Sequence, residues 1–298
     1  IPGLGTDLLL DALGLLAGLG APCLIHCEDG PITAAAQHRL QRLGRDDPWI
    51  LPEWRSREAE LVATTTACLL TRLTGARTTI AHASCAEVVE VVSAAAAAGA
   101  DVVAESCPQY LLLAEAEVGE HAALRKFTPP ARIRASRDGD RMWAALHDRH
   151  IHHLSSDHAP STRAQKADGS IWDAHFGLPG LDTTAPLLID AALSGRVPLE
   201  RVVEAYATAP ARRYRLRGKG DLLPGCDGDL VLIDPGARWE LGDSHVRSKA
   251  GWTPYAGRVV RGKVAGTILR GSLAAWQGEH TGEPGGRFVA GPGSPTGR

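Results

Sequence analysis

Four short apolar runs, each closing on a cluster of polar residues, constrain the fold of this chain more than any other feature. Residues 21–26, 78–82, 101–105 and 152–156 are rich in Ile, Val, Leu or Ala and are strand-sized. Between and around them run longer stretches with helical spacing of apolar residues, at 57–73, 86–98 and 138–148. A chain that alternates strand and helix this way lays its strands parallel, because a parallel pair needs a crossover connection long enough to hold a helix. Continuous apolar strands, as opposed to alternating ones, fit a sheet covered on both faces. The spacing therefore predicts an α/β fold with a parallel sheet over residues 1–217. It includes further helices at 182–194, 199–206 and 210–214, and an opening helix marked by Leu8, Leu9, Leu13, Leu16 and Leu19.

After Gly218 the character changes. Residues 228–234, 239–241 and 259–270 read as short strands with Gly and Asp at the turns, which predicts a small β-rich domain over 218–276. Residues 277–298 are dominated by Gly, Pro, Ser and Thr and read as a mobile tail.

Composition narrows the partners. Thirty-two Lys plus Arg stand against 34 Asp plus Glu, a formal charge of -2, so no broad basic field draws the chain to nucleic acid or anionic lipid. The longest apolar stretches, 8–19 and 88–98, are too short to cross a bilayer. Six cysteines without a CxxC pair predict reduced, packed thiols in a cytoplasmic protein, Cys27 and Cys107 among them. The expected partner is a small molecule.

The chemistry sits where the strands end. His26, His82 and Asp157 each follow an apolar run, and parallel strands bring their C-terminal ends to one edge, so residues far apart in sequence can meet there. Imidazole with carboxylate suits zinc or a similar divalent ion. Singly, a histidine ending a strand is ordinary packing.

The surrounding words carry more. Ile25-His26-Cys27-Glu28-Asp29-Gly30, Ala81-His82-Ala83-Ser84, Glu105-Ser106-Cys107-Pro108-Gln109-Tyr110, Thr128-Pro129-Pro130-Ala131-Arg132 and Ser156-Asp157-His158-Ala159-Pro160 occur in this order. Gly177-Leu178-Pro179-Gly180-Leu181-Asp182-Thr183 and Gly225-Cys226-Asp227-Gly228-Asp229-Leu230-Val231 follow. Together they resemble the cyclic amidohydrolases, the family of dihydropyrimidinases, hydantoinases, allantoinases and dihydroorotases.

That resemblance implies the C-terminal half of a (β/α)8 TIM-type barrel followed by part of a small β-sandwich. It implies that His26 and His82 bind one metal ion, and that Asp157 touches a second and shuttles the proton. Thr128, Gly177, Pro179 and Gly180 would line the substrate pocket. Two zinc ions are the implied cofactor, and they lower the pKa of bound water from 15.7 to ~7. The family's early His-x-His strand and the carboxylated lysine that bridges the metals are not found here and are expected upstream of Ile1. The piece alone is accordingly expected to be inactive, with open strand edges and an uncovered apolar face, and the complete chain to form a dimer or tetramer.

The implied reaction is hydrolysis of a cyclic amide or imide. Dihydroorotases usually carry Asn before the double proline and His after Asp-His-Ala-Pro, where this chain has Thr128 and Ser161. Hydantoin, dihydropyrimidine or allantoin rings are therefore favoured, with dihydroorotase as the alternative. A non-catalytic assembly relative and a metal-dependent deaminase on a similar barrel are further readings. Lys166 and Arg163 read as surface charges, or as a substitute cation for a substrate carboxylate. Tyr110 and Trp172 read as packing residues. His150, His152 and His153 read as a solvated structural cluster, because they open the fourth strand while Asp157 follows it, roughly 13–23 Å away at ~3.3 Å per residue.

Overall fold

The computed structural model describes residues 3–291. The chain divides into two compact units: residues up to Leu181 together with Val246–Pro254, and Asp182–His245 together with the chain from Tyr255 onward.

The first unit is built on four parallel strands in sequence order: β1 (Pro22–Ile25), β2 (Arg77–Ile80), β3 (Val102–Ser106) and β4 (Ile151–Leu154). Each strand falls within two residues of the run predicted for it. Register matters most for function. Ile25 pairs with Ile80, Ile80 with Ala104, and Ser106 with Leu154, so the C-terminal ends of all four strands lie along one edge of the sheet.

Each crossover contains the helix predicted for it, and the helix ends show why they start and stop there. Helix Arg57–Thr74 is capped by the Ser56 hydroxyl, which accepts from the Ala59 N–H, and stops at Gly75 in the left-handed conformation. Ala86–Ala97 and Ser136–His147 complete the set. A helix that was not predicted, Gly30–Arg42, follows β1; the Asp29 carboxylate accepts from the Ile32 N–H at 2.8 Å and Pro31 occupies its first turn. Its apolar face is thin, with Thr33, Ala36 and Leu40 as the buried residues, which leaves little periodic signal.

One side of this unit is strongly apolar and open. β1 is an edge strand with Leu24 exposed, and helix Thr6–Leu19 buries Leu13 but exposes Leu8, Leu10, Leu15 and Leu19. Leu69 and Leu73 of Arg57–Thr74 are exposed as well. Uncovered leucines beside an unpaired strand edge leave a surface prone to pairing or association.

The second unit carries helix Leu181–Leu193 from Asp182 onward and a continuous helical run in which Leu199–Val203 passes through a π-turn at Glu204–Thr208 into Ala209–Arg213. Its sheet is antiparallel: β5 (Leu230–Glu240), β6 (Val259–Leu269), β7 (Ser272–Trp276) and β8 (Glu279–His280). The two short strands expected at 228–234 and 239–241 form one strand; an irregularity between Asp234 and Arg238 absorbs Pro235 and Gly236 without ending the pairing. β8 lies within the stretch read as a tail, and residues 292–298 of that stretch lie outside the described residues.

Among the described residues no helix is long and apolar enough to cross a membrane. All six cysteines are free, with Cys27, Cys68, Cys85 and Cys107 buried.

Candidate active site

His26 directly follows β1 and His82 lies two residues beyond β2, so the aligned strand ends put both on the same edge. His26 Nδ1 and His82 Nε2 stand 2.9 Å apart. His26 Nε2 lies 3.0 Å from Glu28 Oε2, so an ionised Glu28 places the ring proton on Nε2 and leaves Nδ1 as a lone pair facing His82.

Glu28 is the hub of this half of the site. Its Oε2 also accepts from the Thr128 hydroxyl and, at 3.3 Å, from Arg55. Burial pushes the pKa of this carboxyl up, but the hydrogen bond with His26, the Arg55 guanidinium and the Thr128 hydroxyl outweigh it and bring Glu28 below the ordinary glutamate value. Arg55 is in turn held over the rings of Trp54, at 4.7 Å, and Phe176, at 5.2 Å.

His82 is buried, and burial first, with the neighbouring His26 charge second, lowers its pKa to about 4. It is therefore a neutral imidazole at physiological pH, the form that binds metal. Its backbone has φ 42, the left-handed region, and its N–H donates to Glu105 Oε2 at 3.1 Å.

Asp157 lies three residues past β4, also in the left-handed region at φ 43. Such conformations persist in non-glycine residues only when the surroundings over-determine them, and they cluster at functional sites. Gln109 donates its Nε2–H to Asp157 Oδ2 at 3.1 Å. Burial, then the nearby Glu105 charge, raises the Asp157 pKa to about 6, while His26 and Gln109 oppose the rise. A carboxyl poised there can accept a proton and give it back near neutral pH.

The donor set suits a metal ion. Two imidazole nitrogens bound to one tetrahedral zinc at 2.0–2.1 Å sit about 3.3 Å apart, close to the observed pair. One partner has its second nitrogen fixed by a carboxylate, the usual support for a metal-binding histidine, and His82 Nδ1 is buried without a hydrogen-bond partner. Among the described residues, however, no group of three or more His, Cys, Asp or Glu side chains is disposed to hold a metal.

The residues assigned to substrate sit in two places. Thr128, whose hydroxyl is engaged with Glu28, precedes Pro129 through a cis peptide bond. The loop bearing Gly177, Pro179 and Gly180 packs on the segment around Asp157. Gly177 has φ 102 and donates its N–H to Lys126 O, and a Cβ there would collide with Ala159 O. Gly180 passes so close that a Cβ would lie 2.5 Å from Ser156 O.

Some expectations are corrected. His153 is buried at 1% exposure, its Nδ1 2.9 Å from His152 Nδ1 and its Nε2 3.9 Å from Glu105 Oε1, so the cluster is not solvated as a whole. β4 begins one residue earlier than expected, and its pleat turns His153 inward; His150 alone is exposed, against Ser93. Lys166 is neither a surface charge nor available to a substrate: it is buried, and its ammonium donates to Lys126 O and His175 O at 2.7 and 2.8 Å. Tyr110 and Trp172 are packing residues as expected; the Tyr110 hydroxyl donates to Pro129 O, and the Trp172 ring lies against that of Trp54, centroids 4.9 Å apart and tilted by 55°. Glu28, Arg55, Glu105 and Gln109 also belong to the site, although the sequence gives none of them a role there. Three of them lie inside words already quoted, and Arg55 carried no local signal.

Glu28→Gln in the complete chain removes the charge that fixes the His26 tautomer while keeping its shape. Metal affinity, measured by competition with a chelator, is expected to fall about 10- to 100-fold. Unchanged affinity would show that the carboxylate does not support the ligand.

No protein-family model matches the chain. Individual relatives are clear. It is 34% identical over 282 residues to an allantoinase from Rubrobacter xylanophilus, covering 94% of this chain and 62% of that protein. It is 35% identical over 278 residues to a dihydroorotase from Halobacterium salinarum, covering 93% and 62%. Among solved structures, the L-hydantoinase (dihydropyrimidinase) from Arthrobacter aurescens superposes with a TM-score of 0.90 at 29% identity, over 95% of this chain and 64% of that one. This chain thus spans less than two thirds of the length of these relatives. Over nearly all of its own length, the chain is homologous to the cyclic amidohydrolases, enzymes named allantoinase, hydantoinase or dihydropyrimidinase, and dihydroorotase.

Proposed function

We propose that this chain is part of a metal-dependent enzyme that hydrolyses the C–N bond of a cyclic amide or imide, with a ring of the hydantoin, dihydropyrimidine or allantoin type. The observation that carries the reading is the convergence of His26 and His82, 2.9 Å apart, on the sheet edge from which Asp157 also emerges.

In this reading the four parallel strands are half of a (β/α)8 barrel, and residues 218–276 contribute to a β-sandwich. Two divalent ions, zinc by preference, would be held by His26, His82 and Asp157 together with ligands from outside these 298 residues. When bound, they supply the Lewis acidity that makes water a competent nucleophile at neutral pH. Asp157 takes the proton from the attacking water and returns it to the leaving nitrogen, and Gln109 orients the carboxylate. With the Gly177 and Gly180 N–H groups engaged within the protein, the backbone carbonyls of Thr128 and of the loop bearing Gly177, Pro179 and Gly180 would be the groups that hold the N–H groups of a ring imide. The complete chain assembles as a dimer or tetramer in a reducing, cytoplasmic setting that suits six free thiols.

Dihydroorotate carries a carboxylate that needs a cation, and the burial of Lys166 removes one nearby candidate. A panel of hydantoin, dihydrouracil, allantoin and dihydroorotate, offered to the complete metal-loaded protein, tests the proposal. Turnover of one of the first three is expected. Exclusive turnover of dihydroorotate would make the enzyme a dihydroorotase, and turnover of none would defeat the hydrolase reading.

A further inference from the structure

We propose that His158 is a positioning residue that locks the pocket loop 177–181 to the segment bearing Asp157, so that proton shuttle and substrate loop are held by one device. The inference rests on the reading of Asp157 as the shuttle, and it concerns a side chain to which that reading gives no part.

The geometry is specific. His158 Nδ1 lies 3.1 Å from the Gly180 nitrogen and 3.0 Å from the Leu181 nitrogen, and both are backbone donors. An imidazole nitrogen that receives two N–H groups must be the unprotonated one, so the ring proton is on Nε2. Leu181 is the first residue of helix Leu181–Leu193, and its N–H and that of Gly180 belong to the donors that a helix start leaves unsatisfied within itself. His158 supplies the acceptor from a different part of the chain, where a cap residue would ordinarily supply it locally.

The rest of the seam is backbone. His158 forms an isolated parallel bridge with Leu178, and the Ala159 N–H donates to Leu178 O at 3.0 Å. Gly180 approaches Ser156 O too closely for any side chain, and Gly177 approaches Ala159 O in the same way. Residues on both sides of Asp157, namely Ser156, His158 and Ala159, are therefore pressed against 177–181. This seam supplies the over-determination that a left-handed aspartate at φ 43 requires. Within it, His158 contributes the side-chain hydrogen bonds. Without its acceptor, two backbone donors lose their partner and the loop and the carboxylate can shift independently.

The test uses the complete, metal-loaded enzyme and three substitutions. In His158→Ala the acceptor is gone. In His158→Asn the Oδ1 occupies nearly the place of the imidazole Nδ1 and can still accept both N–H groups. His158→Ala is expected to lower kcat/KM about 10- to 100-fold, with kcat falling and KM rising together, because a displacement of about 1 Å at a reacting group costs about that much. His158→Asn is expected to restore most of the loss. Amide hydrogen exchange without substrate gives a readout independent of turnover: the peptide spanning 177–183 should exchange faster in the Ala variant and normally in the Asn variant. Wild-type kinetics and exchange in His158→Ala would overturn the proposal, as would equal impairment of the Ala and Asn variants. Asp157→Asn, run beside them, separates the two readings: full turnover in that variant removes the shuttle assignment, while the exchange data still decide whether His158 holds the loop.

Discussion

Asp157→Asn in the complete, metal-loaded chain is expected to lower turnover by about 10²- to 10⁴-fold while leaving the fold intact. Asparagine keeps the shape of the side chain, can still accept from Gln109 through its Oδ1, and is among the few residues that tolerate the left-handed backbone of this position. It cannot take up a proton. Burial already disfavours the charged carboxylate, enough to raise its pKa to about 6, so exchanging it for a neutral amide removes an unfavourable term from the folded state. Steady-state turnover and thermal melting of the same preparation provide the check. Near-normal turnover with an unchanged melt would rule out Asp157 as the proton shuttle.

The largest effect on stability is expected at Arg132. Its side chain and that of Glu60 are 1% and 2% exposed, with Arg132 Nη2 3.6 Å from Glu60 Oε2. Glu60 also receives the N–H and hydroxyl of Ser84, at the start of the loop that leads from His82 into helix Ala86–Ala97. Even so, burial outweighs these partners and holds the Glu60 carboxyl above its ordinary pKa. Arg132→Met would strand that carboxyl, at an expected cost of about 3–5 kcal/mol. Adding Glu60→Gln should return part of the loss, because removing both charges also removes the reason each needed the other. Urea denaturation of the two single variants and the double variant measures this coupling. A loss under about 1 kcal/mol in Arg132→Met would mean that the pair is not a structural element, since surface-like pairs are worth no more than that.

These two residues show how differently the site was written in the sequence. Asp157, His26 and His82 were legible because each terminates an apolar run. Strand ends are where a parallel sheet presents side chains to one edge, a fact of register that needs no coordinates once the strands are identified. Arg132 stood inside a motif, yet its task could not be read, because its partner Glu60 is 72 residues away on a helix whose face toward the core is set by packing. Glu28 was visible as a letter in His-Cys-Glu-Asp but not as the carboxylate that orders His26. Its role depends on Arg55 and Thr128, 27 and 100 residues away, converging on one oxygen.

Lys166 marks the opposite failure. A lysine in a polar loop between Ser and Asp residues reads as solvated, and local composition gives no other sign. What buries it is a set of backbone carbonyls, those of Lys126 and His175, that no side-chain pattern advertises.

The order of strands and helices, the parallel sheet, the change to short strands after Gly218 and the polar residues His26, His82 and Asp157 at three strand ends all follow from hydrophobic period and punctuation, which are properties of neighbouring residues. Tertiary structure alone decided which oxygen each ring nitrogen faces, which charges are buried in pairs, and how the glycines of 177–181 bring a loop against Asp157. Those are relations between distant segments, and only the close-packed arrangement of the folded chain determines them.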